Sequence, residues 1–425
     1  MTVIAGPRIH TLKNGVRIVC DPIPGLETLA LTVAIGRGSR SESADQSGWA
    51  HLLEHMVFKG AAERSARDIV EVIEAQGGHI NAATGHERTS FQVRALKGGL
   101  PLGMAVLADL IQRPTLTARD LAKEKPVIAQ EIAEAADTPD DLVFELAQAR
   151  AFEGQPLGRP ILGTRKSVGA ASAARLAAYR AGLYAPDAIV IGAAGAVDED
   201  ELLALAERDF SGPAQAVPPP SPAPATFTGG QAQVGRALEQ AHLVLLLPAP
   251  GLRDPDYFAL RLFAEILGGG MSSRLFQEVR EHRGLAYAID AYADCYADTG
   301  VLGVYAGTGA ETAADTARVA GEQIAALIER VEETELARAK AQLKAATFMA
   351  AESTMARAEQ AAGQLLTFGR LFSIAETAEA IDAVTAADLA RVGERLLSGR
   401  ASACAVLGPK KAMSAVDAFQ RTLFG

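Results

Sequence analysis

His51-Leu52-Leu53-Glu54-His55 is the stretch that decides how this chain is read. Residues three and four apart on a helix share a face, so His51, Glu54 and His55 project to the same side. Two imidazoles at that spacing with a carboxylate beside them suit a catalytic zinc. Such a site commonly takes three protein ligands and leaves its fourth position to water, whose pKa falls to about 7. Glu54 is placed to take the proton from that water. The same five residues also read as a helix with two ordinary, partly buried histidines, because so short a pattern recurs by chance.

Working outward, Ser47 can cap the start of this helix, Lys59 sits in its last turn where a positive charge suits the dipole, and Gly60 can serve as a left-handed stop. A tetrahedral site needs one more side chain. Residues 117–136 read as a second helix, opened by a Thr117/Asp120 capping box and carrying Glu124 and Glu131 seven apart, two turns and therefore one face. Pro126 lies between them, so the helix either bends there or begins near the proline. Glu131 is followed by the uninterrupted stretch Ile132-Ala133-Glu134-Ala135. Glu124 reads either as a group that orients a metal ligand or as a solvated carboxylate paired with Lys123 or Lys125.

Residues 213–230, with Pro218-Pro219-Pro220 and further prolines at 222 and 224, read as an extended, semi-rigid linker that divides the chain nearly in half. The halves share an element order. Strands are expected near 16–20, 29–35, 79–84 and 90–95, and after the linker at 242–247, 286–293 and 301–307, with helices at 255–267 and through 275–282. Residues 311–331 and 334–366 read as long alanine-rich helices that cover a sheet. The segment aligned with the zinc helix, 255–267, has no histidine, and Gly268-Gly269-Gly270 after it reads as a helix stop, lacking the lysine of a phosphate loop. The fold expected is α+β: two structurally similar α/β-sandwich domains, 1–212 and 231–425, each a mostly antiparallel sheet covered by helices, the first binding zinc and the second not.

Four more segments carry a resemblance. They are Leu12-Lys13-Asn14-Gly15-Val16-Arg17; Gly77-Gly78-His79-Ile80-Asn81-Ala82-Ala83-Thr84; Gln155-Pro156-Leu157-Gly158-Arg159-Pro160 with Gly163; and the run from Leu275 to Tyr287. With His51, Glu54, His55 and, seventy-six residues after His55, Glu131, the chain resembles the inverzincin metallopeptidases of the pitrilysin, insulysin and mitochondrial processing peptidase family, in its half-length, two-domain branch. That resemblance implies a zinc endopeptidase holding one Zn2+ per chain. It makes His51, His55 and Glu131 the ligands, Glu54 the general base and Glu124 an accessory carboxylate. It implies that Asn81 and Ala82 accept the peptide substrate as an added strand, and that Arg280 and Tyr287 reach that substrate, Tyr287 at the developing oxyanion. It further implies a dimer enclosing a chamber, either a homodimer or a heterodimer with a related subunit. Without the resemblance, Arg280 reads as half of a surface ion pair with Glu278 or Glu281, and Tyr287 as packing at a strand start.

At 425 residues, 49% hydrophobic and 22% charged, the chain has ample core for two domains of about 200 residues. No apolar run approaches the length of a membrane span and Met1 to Pro7 lack the features of a secretory signal, so the expectation is a cytoplasmic protein that does not engage a membrane. Cys20, Cys295 and Cys404 are few, odd in number and far apart, which points away from a disulfide framework or a cysteine metal cluster. A net charge of −10 disfavours nucleic acid as a partner and mildly favours basic peptides. Two other readings stand beside the peptidase: a catalytically silent scaffold or partner subunit, against which the intact His51, Glu54, His55 and Glu131 argue, and a metal-dependent hydrolase of non-peptide substrates.

Overall fold

The computed structural model describes residues 6–213 and 217–425; the first five residues and residues 214–216 of the expected linker lie outside the described residues. The first half of the sequence forms strands β1 (Arg8–Thr11), β2 (Arg17–Pro22), β3 (Thr28–Ile35), a two-residue pair β4 (Gly60–Ala61) and β5 (Arg64–Ser65), then β6 (His79–Thr84), β7 (Thr89–Leu96) and β8 (Ile189–Gly195). Between them run helices α1 (Trp49–Val57), α2 (Ala66–Glu74), α3 (Leu100–Gln112), α4 (Ala118–Asp137) and α5 (Pro139–Ala151). Six strands make one sheet in the order β1-β2-β8-β3-β7-β6, antiparallel except for the β2/β8 pair. Among the described residues β6 is therefore an edge, bonded to β7 alone.

The alternation along β3 explains how this sheet is covered. Leu29, Leu31, Val33 and Ile35 bury one face in the main core with helices such as α1 and α3. Ala30 and Ala34 occupy the other face, against Ala358, Ala361, Ala362 and Leu365 of a helix from far along the chain, Thr354–Phe368. Small residues on both sides let this helix lie close to the strands. At Gly192 in β8 an added Cβ would stand 2.6 Å from the Ala358 carbonyl oxygen, so only glycine permits the approach. Arg357 anchors the same helix through a bidentate pair with buried Asp21, at 2.7 and 2.8 Å.

A second sheet has five strands: β9 (Gly230–Gly235), β10 (Ala241–Ala249), β11 (Ala286–Cys295), β12 (Gly300–Thr308) and β13 (Ala403–Gly408), ordered β11-β12-β10-β13-β9, with only β13/β9 parallel. Leu243, Leu245 and Leu247 of β10 pack toward helices Tyr257–Gly268, Ala313–Glu329, Ala386–Ser398 and Ala415–Phe424. Val244 and Leu246 face Val143, Ala147 and Ala151 of α5. Both sheets are thus mostly antiparallel and layered with helices, as the composition and element order predict.

The packing does not divide the chain by a single cut at 213–230. One compact unit comprises Met1–Ile132, Pro160–Pro222 and Phe348–Ser373; the other comprises Ala133–Arg159, Ala223–Thr347 and Ile374–Gly425. The central strands of each sheet are buried on both faces, and the second face is covered there by a helix drawn from the other half of the sequence. Element order alone does not reveal which sheet such a helix covers. The single helix expected over 334–366 is two, Glu333–Ala351 and Thr354–Phe368, because Ser353 caps the second by accepting from the Ala356 N–H. The expected linker also ends a residue early, since Gly230 already pairs in β9. The segment near 275–282 winds as a wide helix over Phe276–His282, with Leu275 before it. Cys20 and Cys404 are fully buried, and Cys295 is half-buried.

Candidate functional site

The helix α1 has two faces by its own periodicity. Trp49, Ala50, Leu52, Leu53, Met56 and Val57 are buried, while His51, Glu54 and His55 stay partly open on the other side. Its start differs from the expectation. Ser47 makes no capping bond; the N-cap is Gly48, at φ 87°, a conformation that favours glycine. The orphan amides are met instead by the buried Glu42 carboxylate, which accepts from Gly48 N at 2.9 Å and Ala50 N at 2.7 Å and sets a negative charge at the helix N-terminus. The indole of Trp49 donates to the Ser167 carbonyl at 3.0 Å and fixes the helix laterally. The helix ends at Val57, so Lys59 lies beyond its last turn, and Gly60 opens β4 and is not a left-handed stop.

Helix α4 begins where the sequence places it, with the Thr117 hydroxyl accepting from the Asp120 amide, and runs unbroken through Pro126. Glu124 and Glu131 accordingly share a face, and both meet α1. Glu131 Oε2 stands 3.9 Å from His51 Nε2 and 3.8 Å from His55 Nε2, and the three ligand atoms lie within 4.8 Å of one another. A tetrahedral ion bound at 2.0–2.1 Å sets its ligands about 3.3 Å apart, so the two distances to Glu131 are each about half an ångström wide of closure. Glu131 Oε2 and His51 Nδ1 are buried and make no hydrogen bond among the described residues. A buried carboxylate oxygen facing two imidazole nitrogens beyond hydrogen-bond reach is an acceptor that a cation would satisfy. Two imidazoles and one carboxylate are also a donor set that suits zinc. Burial, and then the neighbouring His55, push the His51 imidazole down to about 4, leaving it in the neutral form that ligates.

Glu124 is nearly buried and not a solvated carboxylate; its partners are His55 and Lys59, not Lys123 or Lys125. It accepts from His55 Nδ1 at 2.8 Å and from Lys59 Nζ at 2.7 Å. Burial pushes the Glu124 carboxyl up, but the Lys59 and His55 hydrogen bonds outweigh it and hold the group below the usual range. An ionised carboxylate only accepts, so His55 donates from Nδ1 and its Nε2 is the ring nitrogen turned toward Glu131.

Glu54 stands beside this cluster. Its Oε2 accepts from the Thr84 hydroxyl at 2.5 Å, its only hydrogen bond among the described residues. Burial pushes its carboxyl up, opposed by the Thr84 bond and by His55. Thr84 ends the edge strand β6, on which Asn81 is exposed opposite Gln92 and Ala82 half-buried opposite Phe91. Neither Thr84 nor Lys59 was assigned to the site by spacing, and Glu42 and Tyr184 carried no motif. Only the strand alternation, which sets Thr84 on the same side as Ala82, signals one of them. The buried Tyr184 hydroxyl has no hydrogen bond, and burial followed by the charge of Glu54 holds its phenol well above the usual range.

Thus His51, Glu54, His55, Glu124 and Glu131 converge in one compact unit, which also carries Asn81 and Ala82. Arg280 and Tyr287 belong to the other unit. Arg280 is exposed, its guanidinium 4.8 Å above the Phe276 ring and 4.0 Å from Glu281, while Glu278 is taken by His282 and Arg283. Tyr287 is 69% exposed at a break in the β11/β12 register and does not pack as a buried strand residue.

The family model described as "Insulinase (Peptidase family M16)" matches residues 17–165, and that described as "Peptidase M16 inactive domain" matches residues 170–343. An uncharacterized zinc protease of Rickettsia bellii is 37% identical, over 94% of this chain and 97% of that protein. One from Mycobacterium tuberculosis is 36% identical, over 99% and 97%. Among solved structures, a protease from Helicobacter pylori superposes with a TM-score of 0.90 at 21% identity, over 96% of this chain and all of that one. A peptidase M16 inactive domain from Pseudomonas fluorescens gives 0.87 at 20% identity, over 96% and 98%. At that identity these structures bear on the fold alone. Among the described residues no helix is long and apolar enough to cross a membrane.

Proposed function

Since the chain belongs to the insulinase family of peptidases, family M16, we propose that it is a zinc-dependent endopeptidase that hydrolyses peptides or unfolded segments. The observation that carries this reading is the convergence of His51 Nε2, His55 Nε2 and Glu131 Oε2 within 4.8 Å, with Glu54 on the same face of α1. His51, His55 and Glu131 hold one zinc per chain. When bound, zinc supplies a Lewis acid that polarises a carbonyl and lowers the pKa of water. Glu54 Oε1, the oxygen left open by Thr84, takes the proton of the attacking water and later returns it to the leaving amine. Glu124 keeps His55 oriented and Nδ1-protonated throughout. The free edge of β6 at Asn81 and Ala82 receives the substrate main chain as an added strand, a mode tolerant of sequence. The chain works as a dimer enclosing a chamber, a homodimer or a heterodimer with a related subunit. A second copy presents Arg280 and Tyr287 to the substrate; the exposure of both supports this assignment.

A catalytically silent scaffold is the second reading, favoured by the words "inactive domain" for the model matching 170–343. That span holds none of His51, Glu54, His55 and Glu131, all of which fall within 17–165. A peptide-library digest read by mass spectrometry separates the two. Zinc-loaded protein should cut, chelated protein should not, and Glu54→Gln should keep its zinc while cutting at least about a hundredfold more slowly. A zinc-loaded wild type that leaves the library intact refutes the peptidase.

A further inference from the structure

Among the described residues, the one hydrogen bond to the Glu54 carboxylate comes from the edge strand β6, and that donor sits in a closed frame. Thr84 is the last residue of β6; its Oγ1 donates to Glu54 Oε2 at 2.5 Å. The turn that follows is pinned on both sides. Gly85 N donates to Arg88 O at 2.7 Å, Ser39 N to Gly85 O at 3.1 Å and Arg40 N to His86 O at 2.8 Å. Side chains repeat the grip: the Ser39 hydroxyl meets His86 Nδ1 at 3.0 Å, and nearly buried Arg40 pairs with Glu87 at 2.5 Å. At Gly38 an added Cβ would stand 2.2 Å from the Gly85 carbonyl oxygen, so this segment lies directly on the turn. Two residues past Arg40, Glu42 caps α1 through Gly48 N and Ala50 N. A closed circuit therefore runs from Glu54 to Thr84, around the β6–β7 turn, back through Ser39 and Arg40 to Glu42, and along α1 to Glu54.

Within the peptidase reading, on which this inference rests, we propose that Thr84 is a positioning residue: its hydroxyl holds Glu54 Oε2, registers the base to the strand that receives the peptide, and leaves Oε1 as the oxygen that moves the proton. A hydroxyl has one proton to donate, and a carboxylate pinned through one oxygen by a rigid strand keeps a single orientation. A peptide added to β6 then meets a base already set at a fixed distance from its main chain. Neighbouring groups do not replace the bond: Tyr184, the other hydroxyl whose charge environment includes Glu54, makes no hydrogen bond to it.

The test compares Thr84→Val, which keeps the branched shape and loses the hydroxyl, with Thr84→Ser, which keeps the hydroxyl and loses the methyl. Full-length protein is loaded with zinc and assayed on a peptide that the wild type cuts. Thr84→Val should hold wild-type zinc and a KM within about twofold, with kcat lowered about 10- to 100-fold, the range seen when an orienting partner is removed; Thr84→Ser should recover kcat to within about threefold. Crystal structures of the metal-free variants give a readout free of activity: the Glu54 carboxylate should keep its place in Thr84→Ser and rotate away in Thr84→Val. Full kcat in Thr84→Val, equal losses in both variants, a loss confined to KM, loss of zinc, or an unmoved Glu54 in Thr84→Val each overturns the proposal. If zinc-loaded wild type cuts no peptide, the peptidase reading fails, and the crystallographic comparison alone decides whether Thr84 positions Glu54.

Discussion

Replacing Glu124 by Gln isolates what the buried carboxylate does for zinc. The carboxylate offers an acceptor to each of two donors, Oε1 to His55 Nδ1 at 2.8 Å and Oε2 to Lys59 Nζ at 2.7 Å, with its side chain only 5% exposed. Glutamine has nearly the same shape but one acceptor, so its amide N–H must face either the imidazole N–H or the ammonium. In the first case His55 loses its orientation; in the second it keeps a neutral partner that polarises it less. Removing such a partner commonly costs 10- to 100-fold in metal affinity, or about 1.4–2.7 kcal/mol. Lys59→Met is the control. It leaves the His55 bond in place and removes a positive charge near the cation site, so its zinc affinity should stay within about threefold of wild type or rise. Metal-free proteins are titrated with zinc against a chromophoric chelator of known affinity, giving the ratio of dissociation constants directly. A Glu124→Gln affinity within threefold of wild type, or an equal loss in Lys59→Met, refutes the argument that Glu124 acts through His55.

Glu131→Gln should lower zinc content and peptidase activity together, since the proposed site makes Glu131 one of three ligands; normal zinc by atomic absorption would remove Glu131 from the ligand set. For the composite site, mixing Glu54→Gln with Tyr287→Phe and allowing exchange should restore about a quarter of wild-type activity, because half the dimers are mixed and one of their two sites is intact. No recovery, in a chain that sediments as a dimer, would mean that Tyr287 does not serve a partner's site. Stability in acid should show the Thr385/Asp388 capping box: the Thr385 hydroxyl and backbone N–H, followed by Arg391, draw the Asp388 carboxyl from 3.8 down to about 2. A depressed folded-state pKa contributes stability above the unfolded value and loses it as pH falls toward 2, so Asp388→Asn should cost about 1 kcal/mol at pH 7, discounted for partial exposure, and flatten the thermal-melting profile between pH 4 and 2.

The elements were legible because their periods are local. Alternation of large and small residues in β3, the continuous apolar run of β10 and the three-and-four spacing on α1 and α4 are set by neighbours a few residues away, and α4 keeps its Thr117 start despite Pro126. The exchange of covering helices was not legible. Nothing in the alanine pattern of Thr354–Phe368 says that Ala358 must meet Gly192, a contact that joins residues more than 160 apart in sequence. Close packing of small residues carries little side-chain signature, so the helix reads as generic cover. The caps of α1 failed for a related reason: a serine next to the helix was the local choice, whereas Glu42 reaches the amides from a preceding loop.

The site divides along the same line. His51, Glu54 and His55 share a face by helix geometry, and Glu124 and Glu131 by the heptad, so each set could be written from spacing within one helix. What spacing within a helix does not supply is the contact between elements, and there the chemistry is decided. Glu124 stands seven residues before Glu131 on the same face, yet it takes Lys59 and His55 Nδ1 while Glu131 Oε2 is left facing both Nε2 atoms. Two carboxylates of one type thus acquire different tasks from their partners: one satisfied by two donors and fixed as an orienting group, the other left with a buried, unpaired oxygen that a cation can use. Thr84 acquires its task in the same way. Its place in the sequence marks the end of a strand, and only the approach of α1 to that strand brings its hydroxyl to Glu54.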